Sequence, residues 1–130
     1  MEEIKKFIDQ IQPMNAADWN FFASKLHKQT LKKNTPLIKV GDIENYLSFI
    51  SEGIVRYYIP QEESDLTFGF LFENQFVTAY DSFVTQTPSP YQIETLTNTT
   101  FWRITYNDLQ EVYHKTESGN IIGRRMAENM

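Results

Sequence analysis

The chain has 130 residues and a formal charge of −5 at pH 7, so it has room for one domain and is a poor candidate for binding a nucleic-acid backbone by itself. With 41% hydrophobic and 22% charged residues, its composition is that of a folded globular protein and excludes global disorder. It contains no cysteine and no run of about 18 apolar residues, which excludes disulfides, thiol catalysis and membrane spans, and we expect a cytoplasmic protein.

Residues 1–30 predict a helical N-terminal segment with two short amphipathic helices. The first helix has apolar residues at the i, i+3, i+4 and i+7 spacing of one helix face, and it ends before Pro13. Asn15 is a good N-cap for the second helix, whose apolar face begins at Trp19. His27 is also expected on this helix, beside a lysine.

Residues 31–104 predict an all-β segment. Six or seven short apolar runs alternate with turn residues, and no helix-length segment separates them, which favours an antiparallel sandwich or barrel. Gly41 and Gly53 follow strands and are expected in turns with positive φ, and Gly69 indicates a bulge or a close backbone approach. One strand has an apolar face that is expected to point inward. That face consists of Leu66, Phe68, Phe70 and Phe72.

Residues 105–130 return to the helical period. Thr105 is a candidate N-cap, with Asp108 three residues later, and an apolar stripe follows it. A break near Ser118-Gly119 precedes another helical start over 120–130. Because that helix has no C-cap, we expect it to be cut short or continued in a longer protein.

No motif in the sequence supports catalysis or metal binding. His27 and His114 are far apart and are each predicted on a helix, and no His-x-His pair lies on a predicted strand. Glu62, Glu63 and Asp65 form an acidic turn that we interpret as solvated. Since no G-x-S-x-G, Walker or G-x-G-x-x-G pattern is present, we predict neither an enzyme nor a cofactor nor a metal.

Three segments of the β region, between Leu31 and Thr78, follow one another in an order and spacing that indicate a known fold. They read L-K-K-N-T-P-L-I-K-V-G-D, Y-L-S-F-I-S-E-G-I-V-R-Y-Y and F-E-N-Q-F-V-T. Their order and spacing resemble the cyclic-nucleotide-binding effector domain of Crp/Fnr-type transcriptional regulators, over about the whole chain. The resemblance implies a mainly β fold, a double-stranded β-helix jelly roll with flanking helices, as a single domain over residues 1–130.

The same resemblance carries expectations about partners. In the family a long C-terminal helix forms a homodimer contact and is followed by a helix-turn-helix DNA-binding domain. No such domain lies within these 130 residues, so we expect contact with DNA only through a domain outside this chain.

The resemblance also places a candidate ligand pocket between Phe72 and Leu96. Family members that bind cyclic nucleotides use a Gly-Glu pair at the start of a short helix, where the Glu holds the ribose hydroxyl, and an Arg about ten residues later that neutralises the phosphate. Those positions are Thr78, Ala79 and Ser89 here, so we expect cyclic AMP and cyclic GMP to bind weakly or not at all. The candidate pocket residues are Thr78, Ala79, Tyr80, Ser82, Ser89, Pro90 and Tyr91.

Hydroxyl groups and rings at these positions suit a neutral or mildly polar small ligand. The alternative is that the groups hydrogen-bond one another and leave no cavity. Our prediction is therefore a non-enzymatic, ligand-sensing and dimerising effector domain. Two further alternatives are a cupin-type jelly-roll enzyme or metal protein, which would need a metal-ligand cluster, and a ligand-free protein-interaction module.

Overall fold

The computed structural model describes residues 1–128, with side chains up to residue 125. The described chain contains five helices and eight strands. The helices are α1 (Glu2–Ile11), α2 (Ala16–Ser24), α3 (Tyr80–Thr85), α4 (Tyr106–Lys115) and α5 (Gly119–Glu128). The strands are β1 (His27–Leu31), β2 (Pro36–Ile38), β3 (Tyr46–Glu52), β4 (Val55–Ile59), β5 (Leu66–Leu71), β6 (Phe76–Val77), β7 (Gln92–Thr95) and β8 (Thr99–Thr105).

The strands form two four-stranded antiparallel sheets that together make the β-roll. Their strand orders are β1-β8-β3-β6 and β2-β7-β4-β5. The central pair of the first sheet, β3 and β8, is in register from Tyr46 opposite Thr105 to Ile50 opposite Phe101. The predicted fold class, mainly β with flanking helices, is confirmed.

Side-chain caps start two of the helices where the sequence predicts them. The Asp18 backbone N–H donates to Asn15 Oδ1 over 2.8 Å at the start of α2. The Asp108 N–H donates to Thr105 Oγ1 over 3.1 Å at the start of α4. A cap of this type stabilises a protein by about 1 kcal/mol. The helix predicted over 120–130 is α5 as far as Glu128, and the last two residues lie outside the described part.

The core has two parts, one on each face of the first sheet. Successive side chains of a strand point to opposite faces, so β3 serves both parts. Leu47 and Phe49 pack with the helices, against residues such as Ile4 and Leu109. Ile50 instead packs inside the roll. Its partners there include Val55, Val77, Ile93 and Phe101. The helices therefore cover one face of the roll and leave its interior to line a site.

The strand β1 corrects the prediction that residues 1–30 are helical. It pairs antiparallel with β8, from His27 opposite Arg103 to Leu31 opposite Thr99. Local sequence cannot reveal this ladder, because the partner strand lies about seventy residues away. His27 is therefore an exposed strand residue, whereas His114 lies on α4 as predicted.

The apolar face of β5 corrects a second prediction. Phe68 and Phe70 are each 51% exposed and Phe72 is 52% exposed, so these side chains are not core residues. Alternation along a strand shows which face is apolar but not whether another element covers it. Of the two alternatives predicted at Gly69, a bulge or a close backbone approach, the structure shows the bulge, since the register with β4 shifts between Tyr57 and Tyr58.

The structure confirms the two predicted glycine turns but only part of the prediction for the acidic turn. Gly41 and Gly53 have φ values of 92° and 114°, as predicted. The acidic turn is only partly solvated, because Asp65 pairs with Arg56 over 3.0 Å and the same guanidinium lies 2.6 Å from Glu94. Among residues 1–128, no helix is both long enough and apolar enough to cross a membrane.

Candidate functional site

A cavity of about 440 Å³ opens between β5 and the start of α3. Its volume lies within the range of about 300–1,000 Å³ that is usual for small-molecule sites. Seven of its lining residues are aromatic: Phe7, Tyr57, Phe68, Phe70, Phe76, Tyr80 and Tyr91. The structure thus favours an open cavity over a roll filled by its own side chains.

Three of these rings form a compact cluster on one wall. Phe68 of β5 stands nearly perpendicular to Tyr91, with centroids 5.2 Å apart, and to Tyr57 of β4, with centroids 5.9 Å apart. Tyr57 and Tyr91 lie 5.6 Å apart at an angle of 34°. On another wall, Phe7 of α1 contacts Phe76 at 5.1 Å. Perpendicular and offset contacts are those that aromatic rings prefer, so the cluster is well ordered.

The backbone N–H groups before α3 already have internal partners. Glu44 Oε2 accepts from the Ala79 N–H over 3.2 Å, and its other carboxylate oxygen accepts from the Tyr46 N–H over 3.1 Å. The Tyr57 hydroxyl accepts from the Thr78 N–H over 3.0 Å and donates to the Thr78 carbonyl over 2.8 Å. A phosphate or a ribose hydroxyl would have to displace these groups to reach the two N–H donors.

Glu44 is held in place from several directions. Its own N–H donates to Ser82 Oγ over 2.9 Å, and Gln86 Nε2 donates to its carbonyl over 3.1 Å. Burial raises the pKa of the Glu44 carboxyl, while the N–H groups of Ala79 and Tyr46 and the charge of Arg103 act in the opposite direction. Only 4% of the residue is exposed, so the carboxylate lies inside the protein, behind the cavity wall.

Burial keeps the hydroxyls of two cavity tyrosines, Tyr57 and Tyr91, in their neutral form. Burial raises the pKa of Tyr57 well above its ordinary value, and it also raises the pKa of Tyr91. No lysine or arginine is among the described residues that line the cavity. In residues 1–128 no group of three or more His, Cys, Asp or Glu is placed to hold a metal ion. The cavity is therefore uncharged and largely aromatic, and its polar groups are hydroxyls and the Gln75 amide.

The structure brings only some of the predicted pocket residues to the cavity. Thr78, Tyr80 and Tyr91 line it, whereas Pro90 is exposed elsewhere. Ser89 is buried, and its hydroxyl donates to the Tyr91 carbonyl over 2.8 Å. The other two members, Ala79 and Ser82, are also buried, and both serve the contacts around Glu44.

Sequence reasoning missed other residues of the site. Tyr57 lies two residues after the buried Val55, so strand alternation could have placed it on the inner face. Glu44 gave no such signal, because a lone acid after a turn is typical of a solvated loop. Phe7 comes from α1, and its position depends on tertiary packing alone.

A second cavity, of about 330 Å³, lies among α3, α4 and α5. It shares Thr78 and Tyr80 with the first cavity, and Tyr113 of α4 and Gly123 of α5 also line it. A Cβ atom at Gly123 would stand 2.8 Å from the Tyr113 ring, so α4 and α5 approach closely here. The start of α3 therefore lies between the main cavity and the C-terminal helices.

Comparison with solved structures supports the same fold. A cyclic nucleotide-binding domain from Methylobacillus flagellatus is 16% identical, with a TM-score of 0.84 over 98% of this chain and 74% of that chain. The Catabolite Activator Protein of Thermus thermophilus is 12% identical, with a TM-score of 0.75 over 91% of this chain and 54% of that one. The N-terminal domain of a transcriptional regulator from Streptomyces coelicolor A3(2) is 16% identical, with a TM-score of 0.73 over 89% and 81% of the two chains.

The chain thus spans about half the length of the Thermus protein. No curated protein sequence matches the chain. The family model described as "Cyclic nucleotide-binding domain" matches residues 28–116, which is more than half of the chain. The chain therefore belongs to the cyclic nucleotide-binding domain family, which confirms its resemblance to the Crp/Fnr-type domain.

Proposed function

We propose that the chain is the ligand-sensing effector domain of a Crp/Fnr-like transcriptional regulator, that it is not an enzyme, and that its cavity does not bind cyclic AMP or cyclic GMP tightly. The family and its regulator-like structural neighbours support a sensing role. In the regulator, α5 contributes to a homodimer contact, and a domain outside these 130 residues contacts DNA.

One observation carries the proposal: the backbone N–H groups before α3 already donate hydrogen bonds to side chains of the protein itself. Glu44 and Tyr57 take the hydrogen bonds from Ala79 and Thr78, and no cation lines the described cavity. A buried anion without a paired charge loses several kcal/mol of solvation, and each charge-assisted hydrogen bond returns only about 1.5–3 kcal/mol. Displacing a carboxylate that is already bonded returns less still.

The two cavities suggest how a ligand would act at a distance. Tyr80 lines both cavities, and the second one is bounded by Tyr113 of α4 and Gly123 of α5. A ligand that prefers one position of Tyr80 would favour one arrangement of α4 and α5, which is the population shift that a sensor needs. Because α5 touches Tyr113 so closely, a small movement there would be transmitted to the helix.

The test is thermal unfolding of the protein with cyclic AMP, with cyclic GMP and with a panel of metabolites. A ligand at about 100 times its Kd adds about 2.7 kcal/mol, which shifts Tm by about 10 °C for a chain of this size. We expect no shift with either cyclic nucleotide and a shift with one or more panel members. A large cyclic-nucleotide shift would refute the part played by Glu44 and Tyr57, and a panel without any hit would refute ligand sensing.

The exposed face of β5 favours one second candidate, a protein-interaction module. Leu66 and Phe72 are about half exposed on this face, and neither lines the cavity. Exposed apolar residues that adjoin one another are typical of protein contacts. A stable complex that is lost on Phe72→Ala, while the metabolite panel gives no shift, would favour this candidate.

A further inference from the structure

We propose that the cavity takes an uncharged, flat aromatic molecule with a hydrogen-bond donor, bound against the ring of Phe68 and oriented by the hydroxyl of Tyr57. This inference rests on the proposed function, and it names the class of ligand that the sensor recognises. Three properties of the cavity carry it: its charge, its rings and one unfilled acceptor.

No residue of either charge lines the described cavity, which favours an uncharged ligand. No lysine or arginine lines the described cavity, and the N–H donors of Thr78 and Ala79 are already occupied. A carboxylate or phosphate would therefore enter without a counter-ion. A cation would find no carboxylate on the cavity wall, because Glu44 is buried behind it and its two oxygens accept from backbone N–H groups, so only the faces of the rings would attract it. An uncharged ligand avoids the free-energy cost of removing an ion of either sign from water.

The rings favour a flat aromatic ligand over an aliphatic one. Phe68 and Phe70 line the cavity and are each 51% exposed, so an entering molecule removes apolar surface of both from water. Phe68 already stands at 77° and 82° to the rings of Tyr57 and Tyr91. A further aromatic ring can extend this arrangement with the edge-to-face or offset contacts that rings prefer. A compound of two fused rings fits the volume of the cavity.

The donor requirement comes from the hydrogen bonds of Tyr57. Its hydroxyl donates to the Thr78 carbonyl and accepts from the Thr78 N–H. A hydroxyl has one donor and two acceptor lone pairs, so one lone pair of Tyr57 has no partner among the described residues. Because this residue lines the cavity, a ligand O–H or N–H can donate to it. That bond would fix the orientation of the ring against Phe68.

The experiment is isothermal titration calorimetry of the full 130-residue protein near neutral pH with four probes. 2-Naphthol is the flat, uncharged donor; 2-methoxynaphthalene has the same rings without the donor; 2-naphthoate has them with a negative charge; choline is the cation. We expect 2-naphthol to bind, and the other three to bind at least about tenfold more weakly.

Two variants distinguish binding in the cavity from adsorption to the exposed surface. Phe68→Ala removes a cavity ring and should weaken 2-naphthol binding about tenfold, since one stacked ring contributes this much. Phe72→Ala is the matched control, because Phe72 is equally exposed but does not line the cavity. We expect its affinity to stay within about twofold of the unchanged protein. Circular dichroism of both variants verifies that the fold is retained.

Each contrary outcome overturns a defined statement. Tighter binding of 2-naphthoate or choline than of 2-naphthol would refute the uncharged class while leaving ligand sensing intact. Equal weakening by Phe68→Ala and Phe72→Ala would show surface adsorption and refute the site. No binding of 2-naphthol up to about 1 mM would refute the inference as well. None of these outcomes refutes ligand sensing, which the metabolite panel tests separately.

Discussion

Replacing Glu44 with alanine removes a buried carboxylate that holds the start of α3 against β3. The N–H groups of Ala79 and Tyr46 lose their acceptor. A buried donor left without a partner costs about 1–3 kcal/mol. The full penalty applies at Ala79, which is buried, and a smaller one at Tyr46, which is 37% exposed. Removing a desolvated carboxyl offsets part of the loss, so we expect a net destabilisation of about 2–3 kcal/mol.

Urea unfolding followed by circular dichroism measures this change in the free energy of unfolding. Glu63→Ala is the matched control, because it removes the same charge from an exposed residue and should change stability by less than about 0.5 kcal/mol. If Glu44→Ala is no more destabilising than Glu63→Ala, the carboxylate does not hold the N-terminus of α3, and our account of the site is wrong.

The same substitution has a pH dependence with a definite sign. Because burial raises the pKa of Glu44 in the folded state, the stability that its protonation contributes is present at acidic pH and is lost as pH rises through the raised pKa. The difference in stability between the unchanged protein and Glu44→Ala should therefore be larger near about pH 4 than near about pH 7. An equal difference at both values would contradict the raised pKa.

Three more predictions follow from the turns, an ion pair and a buried phenol. Gly53→Ala should destabilise by about 3 kcal/mol or more, because its Cβ would overlap the side chain and backbone of Thr99. Gly41→Ala, whose Cβ meets nothing within 4 Å, should cost only about 1 kcal/mol; equal costs of the two variants in urea unfolding would disprove this. Arg56→Met removes the bonds to two carboxylates and should lower the free energy of unfolding by about 1–2 kcal/mol. Urea unfolding should show a smaller loss in high salt, and an equal loss would contradict an electrostatic origin. Burial raises the pKa of Tyr113 to about 12, so stability should fall as pH rises from about 10 through that value. Tyr113→Phe should lower the amplitude of the late part of a phenolate absorbance titration, to which Tyr57 also contributes; an unchanged amplitude would contradict the raised pKa of Tyr113.

Local sequence information was sufficient for most elements of the fold. Asn15 and Thr105 cap helices because capping depends on residues a few positions apart, and Gly53 takes a positive φ for a reason that lies in its own backbone. β1 could not be predicted in this way, since four of its five residues are polar and it becomes a strand by pairing with β8. Tertiary contacts therefore determine that β1 is a strand.

The candidate site depends on long-range contacts to a greater degree. The resemblance located Thr78, Tyr80 and Tyr91, which do line the cavity. It could not show that Glu44, thirty-five positions before Ala79, would accept the hydrogen bond of the Ala79 N–H, or that a ring from α1 would line the cavity. Both follow from packing between segments that are distant in sequence.

The position of β5 has a consequence for how the protein behaves at high concentration. β5 is the last strand of its sheet, so one backbone edge has no strand partner among residues 1–128. The strand and the residue after it, 66–72, read L-T-F-G-F-L-F, without a charge or a proline, which is typical of segments that template cross-β assembly. The register shift beside Gly69 twists this edge. A ligand that covers Phe68 and Phe70 would shield it further, and self-association should then slow when the cavity is filled.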